Sequence, residues 1–159
     1  MIDIQKEIEK KFPNMDKKEN FLKKSLFKIA KKIVHEDSIN QFLSQNAHLK
    51  GFEFVDAALD YFDFDYAISS NDLQNIPTSG KVVIIANHPL GGLDALCLLR
   101  LIGQIRKDVK IIANDFLAGF EALNSLLIPI DNYKLRQSKT DIKKIYEALN
   151  NEEALIIFP

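Results

Sequence analysis

A histidine and an aspartate on either side of a glycine pair are the residues of this chain whose types and spacing could do chemistry. His88 follows the apolar run 82–86, and five residues, including Gly91 and Gly92, separate it from Asp94. Histidine takes and gives protons near neutral pH because its ordinary pKa is about 6.5, and a neighbouring carboxylate fixes its tautomer. The pair therefore predicts a proton-transfer site.

The glycine pair is needed to bring the two side chains together. Five intervening residues would not align them on a regular helix, whose neighbouring side chains lie three or four positions apart. Glycine permits a tight turn that folds the carboxylate back on the ring, and it lets a substrate approach the backbone closely. We expect backbone N–H groups near Gly91, Gly92 and Leu93, at the start of the next helix, to stabilise a developing oxyanion.

A structural interpretation of the same residues stays open at this point. His88 could cap the turn and Asp94 could be the N-cap of the following helix, with neither side chain taking part in a reaction. The residue types and their spacing do not decide between the two interpretations.

Elements that alternate along the second half of the chain must position this pair. After a turn at 75–80, apolar segments typical of strands alternate with segments typical of helices. Short apolar strands separated by helices favour an α/β fold with a mostly parallel sheet covered by helices on both faces. The predicted strands are Val82–Ala86, Val109–Ala113, Leu127–Ile130 and Ala154–Phe158, and the predicted helices are Leu93–Arg106, Asp115–Leu123 and Lys139–Asn150.

The first part of the chain is predicted to be helical. Its predicted helices are Ile2–Lys11, Asn20–Val34, Ser38–Gln45 with Ser38 as N-cap, and Phe52–Phe62. In the last of these helices the apolar spacing turns one face inward, formed by Phe54, Val55, Ala58, Leu59 and Phe62. Alternation over Phe64–Ile68 predicts a strand. We expect two parts, a helical region at 1–50 and an α/β domain at 51–159.

Charge is concentrated at the start of the chain. Residues 1–36 contain ten lysines and six acidic residues, whereas the whole chain of 159 residues has a net charge of −1. The amphipathic segment 21–34 could lie on an anionic membrane surface or could simply pack on the domain.

No apolar run reaches the roughly 18 residues of a membrane span. The single cysteine, Cys97, excludes an internal disulfide framework and fits a reducing cytosol, so we expect a cytoplasmic protein, peripheral on the inner face of the cell membrane.

Other chemistry-bearing residues favour ordinary structural roles. His35 lies at a predicted helix end, where a protonated ring complements the helix dipole. His48 has no partner at ligand spacing, so we expect no metal site. The lysines do not alternate with aromatic residues on a strand as RNA-binding sheets require, so we expect no nucleic-acid partner.

Asn87 through Asp94 resembles the first motif of the glycerolipid acyltransferases, the lysophospholipid acyltransferase-like superfamily. Its usual form has four residues between histidine and aspartate, and this chain has five. The form Asn-His-Pro-x-Gly-x-x-Asp is similar to the hemolysin-like branch that acylates ornithine-lipid and glycine-lipid precursors. The resemblance implies a glycerol-phosphate acyltransferase-like fold in which His88 is the general base and Asp94 orients it.

Two further motifs of that family bear on the acyl acceptor. Phe158 and Pro159 resemble the opening of the third motif, whose glutamate and arginine would follow Pro159, so the chain resembles the front part of a longer enzyme. The second motif should fall at 127–132, where many members have an arginine and this chain has Asn132. Either Lys134 or Arg136 replaces that arginine, or the acceptor carries no phosphate. Asn87, Asn114 and Asp131 are further candidates for substrate binding, although Asn114 with Asp115 could equally be a helix cap.

The resemblance implies transfer of a fatty acyl group from acyl-CoA or acyl carrier protein to a hydroxyl of a lysolipid, either a lysophospholipid or a lyso-aminolipid. No cofactor is expected beyond the acyl donor. Two alternatives remain open on the sequence. One is a non-enzymatic module that binds anionic membrane surfaces through residues 21–34, and the other is a His/Asp-dependent thioesterase that uses water as acceptor.

Overall fold

The computed structural model describes residues 36–113, 120–130 and 138–158. The chain divides into two compact units, Met1–His48 and Leu49–Pro159. In the first unit the described helix is α1, Glu36–Gln45. Its end is set by Asn46, whose backbone N–H and side-chain amide both donate to the carbonyl of Phe42, at 3.0 and 2.9 Å. Ser38 lies inside α1, so its prediction as N-cap is wrong, and the predicted helices Ile2–Lys11 and Asn20–Val34 lie outside the described residues.

The second unit alternates strands and helices as predicted. Its helices are α2 at Gly51–Tyr61, α3 at Ser70–Gln74, α4 at Gly92–Ile105 and α5 at Lys139–Asn150, with a 3-10 helix at Glu121–Leu126. Its strands are β1 at Val82–Ile85, β2 at Val109–Ala113, β3 at Leu127–Pro129 and β4 at Ala154–Ile157. The predicted helix Asp115–Leu123 is wrong where it can be compared, since 121–123 are 3-10 and 115–119 lie outside the described residues.

The four strands form one parallel sheet in the order β1-β4-β2-β3. The connection from β1 to β2 moves across the sheet in one direction, and the connection from β3 to β4 moves in the other. Because such crossovers are right-handed, the two helices that make them, α4 and α5, must lie on opposite faces. The α/β class and the parallel sheet are confirmed, and all four strands end at one edge of the sheet.

Burial is strongest in the middle of the sheet. Ala154, Leu155 and Ile156 of β4 are fully buried, and Leu155 packs with Ile128 and Ala148 of α5 to form an apolar cluster on one face. Such continuous apolar burial is what a central parallel strand requires.

Helix α2 packs against α4 through the face that the sequence predicts. Phe54, Val55, Ala58 and Leu59 are buried. Phe62 is exposed, contrary to prediction, because the helix ends at Tyr61 and Phe62 is its C-cap, outside the helical repeat. The ring of Phe52 occupies the space where a side chain at position 103 would be, which explains why a glycine stands there.

The predicted strand Phe64–Ile68 is wrong. Phe64 and Tyr66 are partly buried between exposed neighbours, but Ile68, the third apolar position of the alternation, is exposed. No strand pairs with the segment in the described part of the chain. It runs instead beside α4, close to Arg100 and Gln104, and burial raises the pKa of Tyr66. An extended segment that packs on a helix thus buries alternate side chains, here Phe64 and Tyr66, as a strand in a sheet would.

A buried arginine joins the loops at the edge where the strands begin. Arg106, only 5% exposed, follows α4 and donates two hydrogen bonds to the carboxylate of Asp108, at 2.6 and 2.7 Å. It also donates to the carbonyls of Gly80 at 2.8 Å, Pro77 at 3.3 Å and Glu152 at 2.7 Å. The guanidinium therefore connects the segments that precede β1, β2 and β4. Nothing in the sequence pattern singled this residue out.

Candidate active site

His88 lies at the edge of the sheet where the strands end, three residues after β1. Strand β1 pairs with β4 in register, and the pairing continues beyond β1 through a hydrogen bond of 3.3 Å from the N–H of Ala86 to the carbonyl of Ile157. Open parallel sheets bind their ligands at this edge, because the loops that follow the strands converge there. The fold thus places the predicted base where a substrate can reach it.

The glycine turn has the geometry that the sequence predicts. The N–H of Gly91 donates to the carbonyl of His88 at 3.4 Å. Gly91 has φ +67° and ψ −127°, a backbone conformation that residues other than glycine rarely adopt. Helix α4 follows, with Gly91 as its N-cap and Asp94 as its third residue. The alternative that Asp94 is itself the N-cap is therefore wrong.

Asp94 is held by the turn and faces the histidine. Its Oδ2 atom accepts a hydrogen bond of 2.7 Å from the N–H of Leu90 and lies 3.9 Å from Nδ1 of His88. The side chains of His88 and Asp94 are 37% and 19% exposed. The carboxylate is thus anchored to the backbone and mostly shielded, while the imidazole remains open to solvent on one side.

The distance between the ring and the carboxylate allows an electrostatic contact but is too long for a hydrogen bond. A small rotation of the imidazole would close it, and catalytic hydrogen bonds in unliganded enzymes are often long in this way. Nδ1 is the nitrogen that faces Asp94, so Nε2 is the nitrogen that remains for a reacting group. The arrangement can therefore accept a proton at Nε2 and stabilise the resulting imidazolium.

The first turn of α4 also offers backbone donors. Within the described residues, the N–H of Asp94 donates to the carbonyl of Gly91 at 3.1 Å, whereas those of Gly92 and Leu93 have no backbone acceptor. A Cβ atom added to Gly91 or Gly92 would meet no heavy atom of the described chain within 4 Å. Two unpaired donors beside open space can stabilise negative charge on a bound group.

An aromatic contact completes the surroundings of His88. The rings of His88 and Phe158 are stacked, with their centroids 4.2 Å apart and their planes inclined by 24°. Sequence reasoning placed His88 after the first predicted strand and Phe158 at the end of the last one, but it missed this contact. Knowing that β1 and β4 are neighbours would have revealed it, because residues that follow neighbouring parallel strands lie side by side.

Cys97 lies one turn of α4 beyond Asp94 and is partly buried. Burial of the thiol raises its pKa, and the negative charge of Asp94 raises it further. A thiol in this environment stays protonated and is a poor nucleophile. Its position near the His/Asp pair does not indicate a covalent acyl-cysteine intermediate.

The remaining predicted site residues divide into two groups. Asn87 is exposed and directly precedes His88. Asn114, Asp131, Asn132, Lys134 and Arg136 lie outside the described residues. The described residues that precede them lie at the same edge of the sheet as His88, since β2 ends at Ala113, β3 ends at Pro129, and Ile130 donates to the carbonyl of Ala113 at 2.8 Å.

In the ranges that the structure describes, no group of histidine, cysteine or acidic residues could hold a metal ion. No helix in those ranges combines the length and the apolar character that crossing a membrane would require.

Comparison with known proteins connects this geometry to a family. A family model described as acyltransferase matches residues 7–159. The chain is 31% identical over 160 aligned positions to a lyso-glycine lipid O-acyltransferase of Bacteroides thetaiotaomicron, an alignment that covers 100% of this chain and 57% of that protein. It is 32% identical over 161 positions to the lyso-glycine lipid O-acyltransferase of Phocaeicola vulgatus, covering 100% of this chain and 55% of that protein.

The chain thus spans just over half the length of these curated relatives. No solved structure matches it significantly. The family model covers almost the whole chain, including the histidine, the glycine turn and the aspartate. This chain belongs to the acyltransferase family.

Proposed function

We propose that this protein transfers a fatty acyl group from a thioester donor, acyl-CoA or acyl carrier protein, to the hydroxyl of a lyso-glycine lipid. The observation that carries the proposal is the His88 and Asp94 pair, held by a glycine turn at the edge where the parallel strands end. The names of the two relatives supply the acceptor. A lysophospholipid is the broader alternative within the same reaction class.

In the proposed reaction His88 is the general base. Its Nε2 atom removes the proton of the acceptor hydroxyl as that oxygen attacks the thioester carbonyl. The tetrahedral intermediate collapses by breaking the bond between carbon and sulfur, and the imidazolium returns the proton to the departing thiolate. The new ester and a free thiol are the products, so the enzyme ends in its starting protonation state.

Asp94 and the start of α4 support the two charges that develop. The carboxylate, fixed by the N–H of Leu90, faces Nδ1 and stabilises the imidazolium. The N–H groups of Gly92 and Leu93 donate to the oxyanion of the intermediate. Gly91 instead shapes the turn, because its own N–H faces the carbonyl of His88.

The acceptor site is proposed to lie in the loops after β1, β2 and β3. Asn87, Asn114, Asp131 and Asn132 would contact its polar headgroup, with Lys134 and Arg136 nearby as cations. Asparagine at 132, where many family members carry an arginine, favours an acceptor without phosphate. We further propose that the protein works peripherally on an anionic membrane surface, on the inner face of the cell membrane, where its lipid acceptor resides.

A substrate panel tests the proposal directly. The full-length protein is incubated with labelled acyl-CoA or acyl carrier protein and with either lyso-glycine lipid or lysophosphatidic acid, and the labelled lipids are separated. We expect a labelled ester with the lyso-glycine lipid and none from the His88→Ala variant. Release of free fatty acid without ester would indicate a thioesterase. Salt-sensitive binding to anionic vesicles without any turnover would indicate a non-enzymatic membrane module.

A further inference from the structure

We infer that Phe158 is a positioning residue that holds the imidazole of His88 in the plane required for proton transfer. The inference rests on the proposed acyl transfer, in which His88 is the base. It starts from the stacked rings of these two residues, whose centroids are 4.2 Å apart with an interplanar angle of 24°.

The imidazole needs such a support because its other contact is weak. His88 lies in an irregular and exposed loop, and its distance of 3.9 Å to Asp94 is too long for a hydrogen bond to fix the ring. The Oδ2 atom that faces the ring already accepts from the N–H of Leu90. In the described part of the chain, the stacked face of Phe158 is therefore a second restraint on the orientation of the ring, beside the electrostatic contact with Asp94.

Phe158 is placed on a rigid part of the fold. It directly follows β4, the strand between β1 and β2 whose residues Leu155 and Ile156 are fully buried. The hydrogen bond from Ala86 to Ile157 connects the backbones just before the two rings. The backbone position of Phe158 is thus set by the pairing of β4 with β1, and the stacked ring can hold the histidine in the loop relative to the sheet.

The stack and the aspartate restrain different movements of the imidazole. A phenyl face prevents the imidazole from tilting but covers neither nitrogen, because both nitrogens point outward in the plane of the ring. Asp94 then selects which nitrogen faces inward. A stacked phenyl ring is compatible with neutral imidazole and also attracts imidazolium through cation–π attraction. Phe158 can therefore hold the base before and after it takes the proton.

The first test compares Phe158→Leu, Phe158→Tyr and Phe52→Leu in the full-length protein. Phe52 is a matched control, since it is also a partly buried phenylalanine but packs beside Gly103 and Lys107 at the far end of α4. We expect kcat of Phe158→Leu to fall about tenfold with KM values nearly unchanged. Phe158→Tyr keeps the aromatic face and should retain kcat within about twofold, as should Phe52→Leu.

The second readout observes the ring itself. The imidazole proton signals of His88 can be assigned as those that disappear in His88→Gln. Stacking on a phenyl ring shifts these signals upfield. They should move downfield in Phe158→Leu, stay upfield in Phe158→Tyr and remain unchanged in Phe52→Leu. This signature does not depend on turnover, and a residue that only stabilised the fold would not produce it.

The outcomes separate this inference from the proposed function. If His88→Ala is inactive while Phe158→Leu keeps full kcat and unshifted His88 signals, the positioning role of Phe158 is refuted and acyl transfer stands. If His88→Ala remains active, the assignment of the base is refuted before Phe158 is considered. A kcat loss in Phe158→Leu that Phe158→Tyr shares equally would also overturn the inference, because the aromatic face would then not be what matters.

Discussion

The two edges of the parallel sheet use their polar groups in opposite ways. At the edge where the strands begin, Arg106 is almost completely buried and donates five side-chain hydrogen bonds of 2.6 to 3.3 Å. At the edge where the strands end, His88 is 37% exposed and lies 3.9 Å from its ionic partner. The first edge satisfies its polar groups internally, whereas the second leaves backbone donors and an imidazole accessible.

This difference shows how the fold separates stability from activity. A buried cation must be fully paired because its desolvation is costly, so Arg106 fixes the loops around it. A catalytic base must keep one nitrogen free, so the role that we propose for His88 requires that it not be paired in the same way. We therefore expect substitution of Arg106 to change stability with little effect on turnover, and substitution of His88 to do the reverse.

The largest effect is expected for His88→Ala. Removing the proposed base should reduce kcat by about a thousandfold, because proton transfer by a positioned side chain contributes about 100-fold to 10,000-fold to the rate. Urea unfolding should show a midpoint within error of the wild type, since the side chain is exposed and makes no buried hydrogen bond. Wild-type turnover in this variant would contradict the assignment of the base.

Arg106→Met should give the largest loss of stability. Methionine keeps the buried volume but leaves the carbonyls of Gly80 and Glu152 without their donor, which costs about 2–4 kcal/mol of unfolding free energy. The kcat of the folded fraction should be unchanged. Arg100→Met is the matched control, because Arg100 is 26% exposed and pairs with Asp56 and Asp60 near the surface, so its loss should cost about 1 kcal/mol or less. Equal losses of unfolding free energy in the two variants would show that burial does not make Arg106 more important for stability than the surface arginine.

A smaller and more local effect is expected at the glycine turn. Gly91→Ala forces a positive φ on an alanine and should cost about 1–3 kcal/mol, although no atom of the described chain would clash with the new methyl group. Gly92→Ala is free of that strain, so it should keep its stability. If a substrate approaches the backbone here, Gly92→Ala should still raise KM or lower kcat. Unchanged kinetics in Gly92→Ala would show that no substrate approaches the backbone at this position. The glycine pair would then serve only the backbone conformation of the turn.

The smallest effect concerns pH. The hydrogen bonds from Arg106 lower the pKa of Asp108 below its ordinary value near 3.8. A lowered folded-state pKa stabilises the protein above the ordinary value, and this contribution is lost as the pH falls through the folded-state pKa. The unfolding free energy of the wild type should therefore exceed that of Asp108→Asn above about pH 5, and the difference should shrink toward zero on acidification. A difference that stays constant across this range would rule out ionisation of Asp108 as its source.

Prediction from sequence succeeded where local pattern decides structure. Strand β2 and helix α5 have the predicted bounds, and β1, β3 and β4 each end one residue earlier than predicted. The turn between His88 and Asp94 was also predictable, since a glycine pair between a strand and a helix permits few alternatives.

Prediction failed where local pattern was ambiguous. Alternation at 64–68 is compatible with a strand or with an extended segment on a helix, and only the presence of α4 beside it decides between them. Phe62 fits the helical spacing of α2, but the helix ends one residue before it. Such boundaries depend on tertiary contacts that a short window does not contain.

By itself, the sequence determined the candidate His/Asp pair, the glycine turn and the parallel α/β class, because these depend on residue type and short spacing. Tertiary structure alone decided that β4 lies beside β1, and with it the stacking of Phe158 on His88. It also decided that one arginine would connect three loops from distant parts of the chain. The physical reason is that contacts between distant residues depend on the order and register of the strands, which the packing of the whole domain selects.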